Sequence, residues 1–162
     1  MKKYLYIFLI AMVPLIELRG AIPVAYIFRT EDPNFNILLS YFIIAIGNML
    51  PVPFIFFFAR RVLEWGKDKK VIGKFFTWCL QKGEKGGEKL QAKAGRGLYW
   101  ALMLFVGIPL PGTGAWTGAL AASFLNMDFK KSIVAVIGGV VLASVIVGVL
   151  CILGFGALFG IQ

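Results

Sequence analysis

The sequence contains no histidine, and only two of its 162 residues are cysteines. Cys79 and Cys151 are 72 residues apart, so neither a zinc site nor a redox pair is predicted, and each thiol is expected to pack as a small hydrophobe. All three aspartates lie in polar segments: Asp32, Asp68 and Asp128. An enzyme would need a nucleophile with its base, a set of metal ligands or paired acids. The sequence therefore predicts no catalytic residue, no metal site and no cofactor.

Charge is absent from three long stretches, residues 35–59, 98–127 and 132–162. Each is longer than the about 20 residues that cross a bilayer as a helix. Hydrophobic residues make up 59% of the chain, which is more apolar surface than a soluble domain of this size hides in its core. The runs lack the alternation of a membrane barrel. The prediction is an all-α integral membrane protein that crosses the cell membrane several times.

Positive charge is concentrated in the middle of the chain. Eleven of the 17 Lys and Arg residues fall between Arg60 and Arg96. Because basic loops stay on the cytoplasmic side, residues 61–97 are predicted to form a cytoplasmic linker near anionic headgroups. Aromatic residues at 75, 76 and 78 lie among lysines. This favours a basic amphipathic helix at the membrane surface, with a solvated loop as the alternative. A basic patch alone does not predict binding to nucleic acid.

The N-terminus resembles a signal peptide in its first part. Lys2 and Lys3 precede thirteen apolar residues, Tyr4 to Ile16. The small residues of a cleavage site are missing, because Glu17, Leu18 and Arg19 occupy that place. This segment is therefore expected to be retained.

The linker separates two halves with the same order of features, residues 4–60 and 98–162. Each half has an apolar run broken by Pro and Gly, then a short polar bend, then an unbroken apolar run. An offset of 94 residues aligns Gly20-Ala21 with Gly114-Ala115, Ala25 with Ala119, and Phe35 with Phe129. Internal similarity of this kind predicts two structural repeats.

The broken runs predict re-entrant helical hairpins, since Pro removes an amide donor and Gly weakens a helix. Such a hairpin enters and leaves on one face and buries its irregular backbone in protein. The hairpins are predicted at 4–28 and 98–124, and transmembrane helices follow at 35–60 and 132–160. With the linker on one side, the second half becomes an upside-down copy of the first. The predicted fold is therefore two inverted repeats, an architecture that many transporters share.

A second interpretation treats residues 4–28 and 98–124 as kinked full spans. It gives four crossings with both termini inside the cell. Lys2 and Lys3 favour it through the positive-inside rule. The sequence leaves this alternative open.

Ionisable and polar groups in the two breaks are the candidates for function. Glu17 and Arg19 have apolar sequence on both sides, and charges at such depth usually mark a substrate or ion path, although a structural ion pair is the alternative. The second break is uncharged, so its free amides and its Thr113 and Thr117 hydroxyls are the groups that could hold an anion at a helix N-terminus. Its glycines could instead only permit close packing. The predicted substrate or ion pathway comprises Glu17, Arg19, Gly20, Pro23, Asn48, Pro109, Pro111, Gly112, Thr113, Gly114, Trp116 and Thr117.

Two further features concern helix contacts. Asn48 is expected to make an interhelical hydrogen bond. Small residues at near-helical spacing in the last span, such as Gly139, Ala143 and Gly148, predict close contact with another helix. That partner helix could belong to the same chain or to a second subunit in a homodimer.

Two motifs are recognisable, Glu17-Leu18-Arg19-Gly20-Ala21-Ile22-Pro23 and the segment from Ile108 to Ala119. Together they resemble the small multidrug export protein family over nearly the whole chain. That family is similar to the DedA, or VTT-domain, membrane proteins, which pair two re-entrant hairpins with transmembrane helices. The resemblance implies transport, because such proteins are linked to proton-dependent drug tolerance, to recycling of polyprenyl-phosphate carriers and, in eukaryotes, to lipid scrambling. In DedA proteins acidic residues mark the first hairpin and arginines the second, whereas the second motif here is uncharged.

The leading hypothesis is a proton- or ion-coupled transporter of a small amphipathic molecule or a lipid phosphate. Glu17 would bind the proton or cation, while Arg19 and the half-helix ends would hold substrate. The alternative is an uncoupled lipid scramblase or a structural, membrane-organising protein. The expected partners are the lipid bilayer, the substrate and a second copy of the chain.

Overall fold

The computed structural model describes residues 2–14, 16–68, 73–74, 77–78, 81, 95, 97–110 and 112–159. All regular secondary structure in these residues is helical, as the sequence predicts. The helices whose bounds the structure describes are α1 Lys2–Met12, α2 Glu17–Glu31, α3 Ile37–Met49, α4 Pro51–Lys67, α5 Gly97–Gly107, α6 Ala115–Phe124 and α7 Phe129–Phe159. Most of the predicted amphipathic linker, and Cys79 within it, lies outside the described residues.

Helices α3 and α4 form one continuous stretch. Pro51 and Pro53 lie in the first turn of α4, where a missing amide hydrogen is tolerated. Leu50, between the two helices, keeps a helical backbone with φ −59° and ψ −42°. The joined stretch Ile37–Lys67 is long and apolar enough to cross a membrane.

The second such stretch is Phe129–Gly154 within α7. Both stretches begin with a side-chain cap: the Asn36 carboxamide accepts a hydrogen bond from the Leu39 amide at 3.0 Å, and the Asp128 carboxylate accepts one from the Lys131 amide at 2.9 Å. These bonds satisfy amides that a helix N-terminus leaves free. Large apolar side chains on the outer faces of both stretches are exposed, as expected of surfaces that meet lipid.

In the first half, α1 and α2 fold back on one another. The Lys3 ammonium at the start of α1 lies 3.5 Å from the Glu31 carboxylate at the end of α2. Helix α1 then runs alongside α3 in the same direction, because Tyr4 stacks on Phe35 at the start and Gly47 packs against the Phe8 carbonyl further along. The chain therefore enters and leaves this hairpin at the same end of the molecule.

The second half repeats this arrangement. Gly118 of α6 packs against Leu102 and Val106 of α5, and α5 runs alongside α7 in the same direction, because the Lys131 ammonium lies 5.8 Å from the Tyr99 ring centroid while Gly139 packs against the Met103 carbonyl. A Cβ on Gly47 would lie 2.8 Å from the Phe8 carbonyl oxygen, and a Cβ on Gly139 would lie 2.7 Å from that of Met103. The same close approach of helix to helix occurs in both halves.

The two long apolar stretches are antiparallel. Tyr41, near the start of α3, lies against Gly148 near the end of α7, and Phe56 in α4 lies against Phe129 at the start of α7, with 5.1 Å between ring centroids. The hairpin helices pack across the halves, α2 on α7 and α6 on α4. For example, the Ser123 hydroxyl of α6 donates a hydrogen bond of 2.6 Å to the Phe56 carbonyl of α4.

Candidate functional site at the two helix breaks

The break between α1 and α2 lies against the break between α5 and α6. Residues 13–16 separate the first pair of helices, and residues 108–114 separate the second pair. The sequence folds this way because Pro14 and Pro109 cannot continue a helix. Polar side chains of the first turn of α2, directly after the first break, contact the second break and the start of α6.

Glu17 is the buried acid of this site, with only 2% of its surface exposed. Its two carboxylate oxygens accept hydrogen bonds from the backbone amides of Ala115, at 3.2 Å, and Trp116, at 3.0 Å. These amides begin α6 and have no acceptor within the helix. The positive end of the helix dipole also favours a carboxylate at this position. Glu17 thus occupies an anion-binding place at the α6 N-terminus.

Gly114 makes this approach feasible. Its φ of +144° is one that residues with a side chain rarely adopt. A Cβ there would lie 2.7 Å from the carboxyl carbon of Glu17, which is too short for a contact between unbonded atoms. Glu17 itself has a φ of +50°, so the backbone is unusual on both sides of the contact.

Arg19, one turn into α2, binds the same loop. Its Nη1 donates a hydrogen bond to the Thr113 carbonyl, and its Nη2 donates to the Thr113 hydroxyl at 2.7 Å. The same Nη2 lies 3.4 Å from the Ile108 carbonyl. The guanidinium therefore closes the second break by binding both of its ends, and charged hydrogen bonds of this kind are stronger than neutral ones.

Donor capacity is left over in the site. Arg19 Nε and Trp116 Nε1 are buried and have no hydrogen-bond partner among the described residues. Glu17 and Arg19 do not form an ion pair with each other in this part of the chain, since each bonds to the second break. Two unused N–H groups beside a helix N-terminus are suited to an acceptor such as an anionic oxygen.

The other predicted pathway residues lie at varying distances from this contact. Thr117 donates a hydrogen bond from its hydroxyl to the Gly114 carbonyl at 3.3 Å, and Gly112 has a φ of +82° in open space. Gly20 and Pro23 lie within α2, and Pro109 is half-buried in the second break. Pro111 lies outside the described residues.

Asn48 differs from the prediction made for it. It is completely buried near the end of α3, yet neither amide atom of its side chain has a hydrogen-bond partner among the described residues. The expected interhelical hydrogen bond is absent there. Within the described part of the chain, no hydrogen bond joins Asn48 to Glu17 or Arg19.

Sequence reasoning expected free amides in the second break to bind an anion, and the Ala115 and Trp116 amides bind Glu17. It missed the carbonyls of Ile108 and Thr113, which bind Arg19, because a main-chain carbonyl gives no signal of its own in a sequence. The hydroxyls of Tyr26 and Tyr41, 3.3 Å apart between α2 and α3, were also missed. Within the described ranges, no three His, Cys, Asp or Glu side chains lie close enough to hold a metal ion.

Residues 17–146 match the family described as "Putative small multi-drug export protein". No curated protein and no solved structure matches the chain. The matched segment begins at Glu17 and contains the whole of the site, including both breaks. The match covers most of the chain, which therefore belongs to the small multi-drug export protein family.

Proposed function

We propose that this membrane protein is a proton-coupled transporter that moves a small amphipathic molecule or a lipid phosphate through the contact between its two helix breaks. The observation that carries the proposal is the binding of Glu17 to the α6 amides. An ionisable side chain held at membrane depth against the free end of a helix is typical of substrate and ion sites in transporters. The family match supports export in general. Coupling and substrate are proposed from the chemistry of the site.

We infer that the two halves are inverted repeats built from re-entrant hairpins. Three contacts support this: the fold-back that joins Lys3 to Glu31, the parallel packing of α1 on α3 and of α5 on α7, and the antiparallel packing of α4 on α7. A hairpin whose ends meet on one side does not need to cross the membrane. Two antiparallel spans that carry similarly arranged hairpins are then related by inversion.

Coupling would follow from competition for the α6 N-terminus. When Glu17 is ionised, its carboxylate accepts the hydrogen bonds of the Ala115 and Trp116 amides. When a proton binds a carboxylate oxygen, the charge that attracts the helix dipole is lost and one strong acceptor is weakened. The amides then become available to a substrate oxygen. Proton uptake and substrate binding are thereby linked at one place, as coupled transport requires.

The chemistry of the site favours a substrate with an anionic or strongly polar head. Arg19 carries a positive charge, and the buried N–H groups of Arg19 and Trp116 lack acceptors among the described residues. The indole of Trp116 and the carboxylate of Glu17 would also suit an amphipathic cation.

The protein would act as a carrier in the plasma membrane, with the linker on the cytoplasmic side. It would carry out no covalent chemistry. Its assembly as a homodimer is a further expectation.

The test compares Glu17→Gln with Glu31→Gln in proteoliposomes under an imposed pH gradient. Radiolabelled tetraphenylphosphonium serves as the amphipathic cation and fluorescent phosphatidylglycerol as the lipid phosphate. Glutamine keeps the size of the side chain at position 17 but cannot take up the proton, so gradient-driven movement of at least one probe is expected to vanish. Glu31 lies at the exposed end of α2 beside Lys3, so its glutamine variant should transport like the parent protein.

Retention of gradient-driven movement by Glu17→Gln would contradict the coupling role. Movement of the fluorescent lipid without any gradient, equal in both variants, would instead support an uncoupled scramblase. Thermal unfolding in detergent, measured for each variant, separates a loss of transport from a loss of fold.

A further inference from the structure

A groove on the outer surface of the second half lies away from the helix breaks. It has a volume of about 810 Å³ and lies between α5 and α7. Its lining residues are Gly95, Tyr99, Trp100, Met103, Lys130, Lys131, Val134 and Ala135. None of the residues that form the site at the two breaks lines it. The groove is therefore a separate feature from that site.

The lining has two levels, because α5 and α7 start at the same end of the molecule and run in the same direction. At the helix starts lie two lysines, Lys130 and Lys131, together with Tyr99 and Trp100. Four residues further along each helix, or one turn deeper, the lining is apolar. That deeper level comprises Met103, Val134 and Ala135.

This order matches the depth profile of a bilayer. Trp and Tyr are enriched at the boundary between headgroups and acyl chains, and lysines beside them reach the headgroup phosphates. Trp100 is 64% exposed and Val134 is 69% exposed, so both the boundary level and the apolar level are open to the surroundings. A ligand that fits has a negative head and an apolar tail.

The positive charge of the groove is available to such a ligand. The neighbouring carboxylate of Asp128 accepts a hydrogen bond from the Lys131 backbone amide as a helix cap, and neither lysine forms a salt bridge within the described residues. The Lys131 ammonium lies over the Tyr99 ring, which holds it at the mouth of the groove. Two ammonium groups on adjacent residues favour a headgroup with a net negative charge over a zwitterionic one.

We propose that this groove binds an anionic phospholipid of the surrounding membrane. Its phosphate lies between the ammonium groups of Lys130 and Lys131, and one acyl chain lies along Met103, Val134 and Ala135. The lipid packs on the outer side of α5 and α7, which are in close contact where Gly139 meets the Met103 carbonyl. The binding is independent of the transport proposed above and requires only that the protein lies in a membrane.

The experiment uses the whole chain in phosphatidylcholine nanodiscs that contain an increasing fraction of brominated lipid. Bromine quenches nearby tryptophan, and the difference in emission between the parent protein and Trp100→Phe isolates Trp100. Brominated phosphatidylglycerol is expected to quench Trp100 at a lower lipid fraction than brominated phosphatidylcholine does. Replacing both lysines, Lys130→Gln with Lys131→Gln, should remove this preference, by roughly fivefold in apparent affinity for each lysine.

The matched control is Lys2→Gln with Lys3→Gln, which removes the same charge at the opposite end of the molecule. It should leave the preference of Trp100 unchanged. Equal quenching of Trp100 by the two lipids would overturn the proposal, as would an equal effect of the two double variants. Protection of Trp100 from both lipids would also overturn it, because another protein surface would then cover the groove.

Discussion

Arg19 binds Thr113, and the two residues are separated by 94 positions, the same offset that aligns Gly20 with Gly114. The Arg19 guanidinium thus contacts Thr113, the residue of the second half that this offset aligns with Arg19 itself. The charged side chains of the site come from the first half, and their main-chain partners, amides for Glu17 and carbonyls for Arg19, come from the second half.

The bond between Arg19 and Thr113 should be measurable as a coupling energy. Lysine in place of Arg19 keeps the charge but has no planar fork that can bind the carbonyl and the hydroxyl of Thr113 together. Thr113→Val removes the hydroxyl and keeps the shape. We expect each single variant to lower stability by about 1–2 kcal/mol, and the double variant to lose less than their sum.

The measurement is thermal or denaturant unfolding of the four proteins in one detergent. The matched control replaces Thr117 with Val, since among the described residues the Thr117 hydroxyl bonds to the Gly114 carbonyl and not to Arg19. Strict additivity between Arg19→Lys and Thr113→Val would show that the bond contributes nothing.

Gly114→Ala is expected to abolish transport. The new methyl group would lie 2.7 Å from the Glu17 carboxyl carbon, so Glu17 would have to leave the α6 amides. Gly112→Ala is the control, because its φ is also positive while no atom lies within 4 Å of the added Cβ. Alanine there carries only the backbone strain, on the order of 1 kcal/mol. Equal transport by the two variants would show that the place occupied by Glu17 is unimportant.

The sequence indicated the positions of the breaks well, for reasons of local chemistry. Pro14, Pro109 and the glycines of the second motif interrupt apolar runs, and helices end or begin within a few residues of each. The helical class followed from the uncharged stretches alone. Pro23 is the exception, because it lies inside α2 and does not end that helix.

The bonding within the site was not predictable in the same way. Glu17 and Arg19 were expected either to line a pathway, which stays a prediction, or to pair with each other. In the structure each binds main-chain groups about 90–100 residues away. Those partners depend on how the two breaks approach, which long-range packing decides. The same holds for Asn48, whose buried amide lacks the expected partner.

The repeated close approach of helices predicts which glycines matter for stability. Gly47→Ala and Gly139→Ala place a methyl group against a backbone carbonyl, of Phe8 and of Met103. Since a backbone moves less easily than a flexible side chain, each should destabilise the protein by about 1–3 kcal/mol. Gly154→Ala meets nothing within 4 Å and should be neutral or slightly stabilising, because alanine favours a helix. If Gly154→Ala lowers the unfolding temperature as much as Gly47→Ala and Gly139→Ala do, the close helix contacts at Gly47 and Gly139 are contradicted.

Labelling from each side of the membrane distinguishes a re-entrant hairpin from a kinked full span in the first half. The variants Lys3→Cys and Glu31→Cys are made one at a time in a background with Cys79→Ser and Cys151→Ser. The two side chains are 3.5 Å apart in the structure, so a hairpin places both on one face. A full span across residues 4–28 would place them on opposite faces. Gln81→Cys, in the linker, reports the cytoplasmic face.

A membrane-impermeant maleimide added to intact cells should therefore label Lys3→Cys and Glu31→Cys alike, and Gln81→Cys only after lysis. The expected orientation follows from the eleven basic residues between Arg60 and Arg96, which favour the cytoplasm far more strongly than Lys2 and Lys3 do. Labelling of Lys3→Cys and Glu31→Cys from opposite faces would require four crossings. The contact between the breaks would then lie between kinked spans, and inversion of the two halves would have to be abandoned.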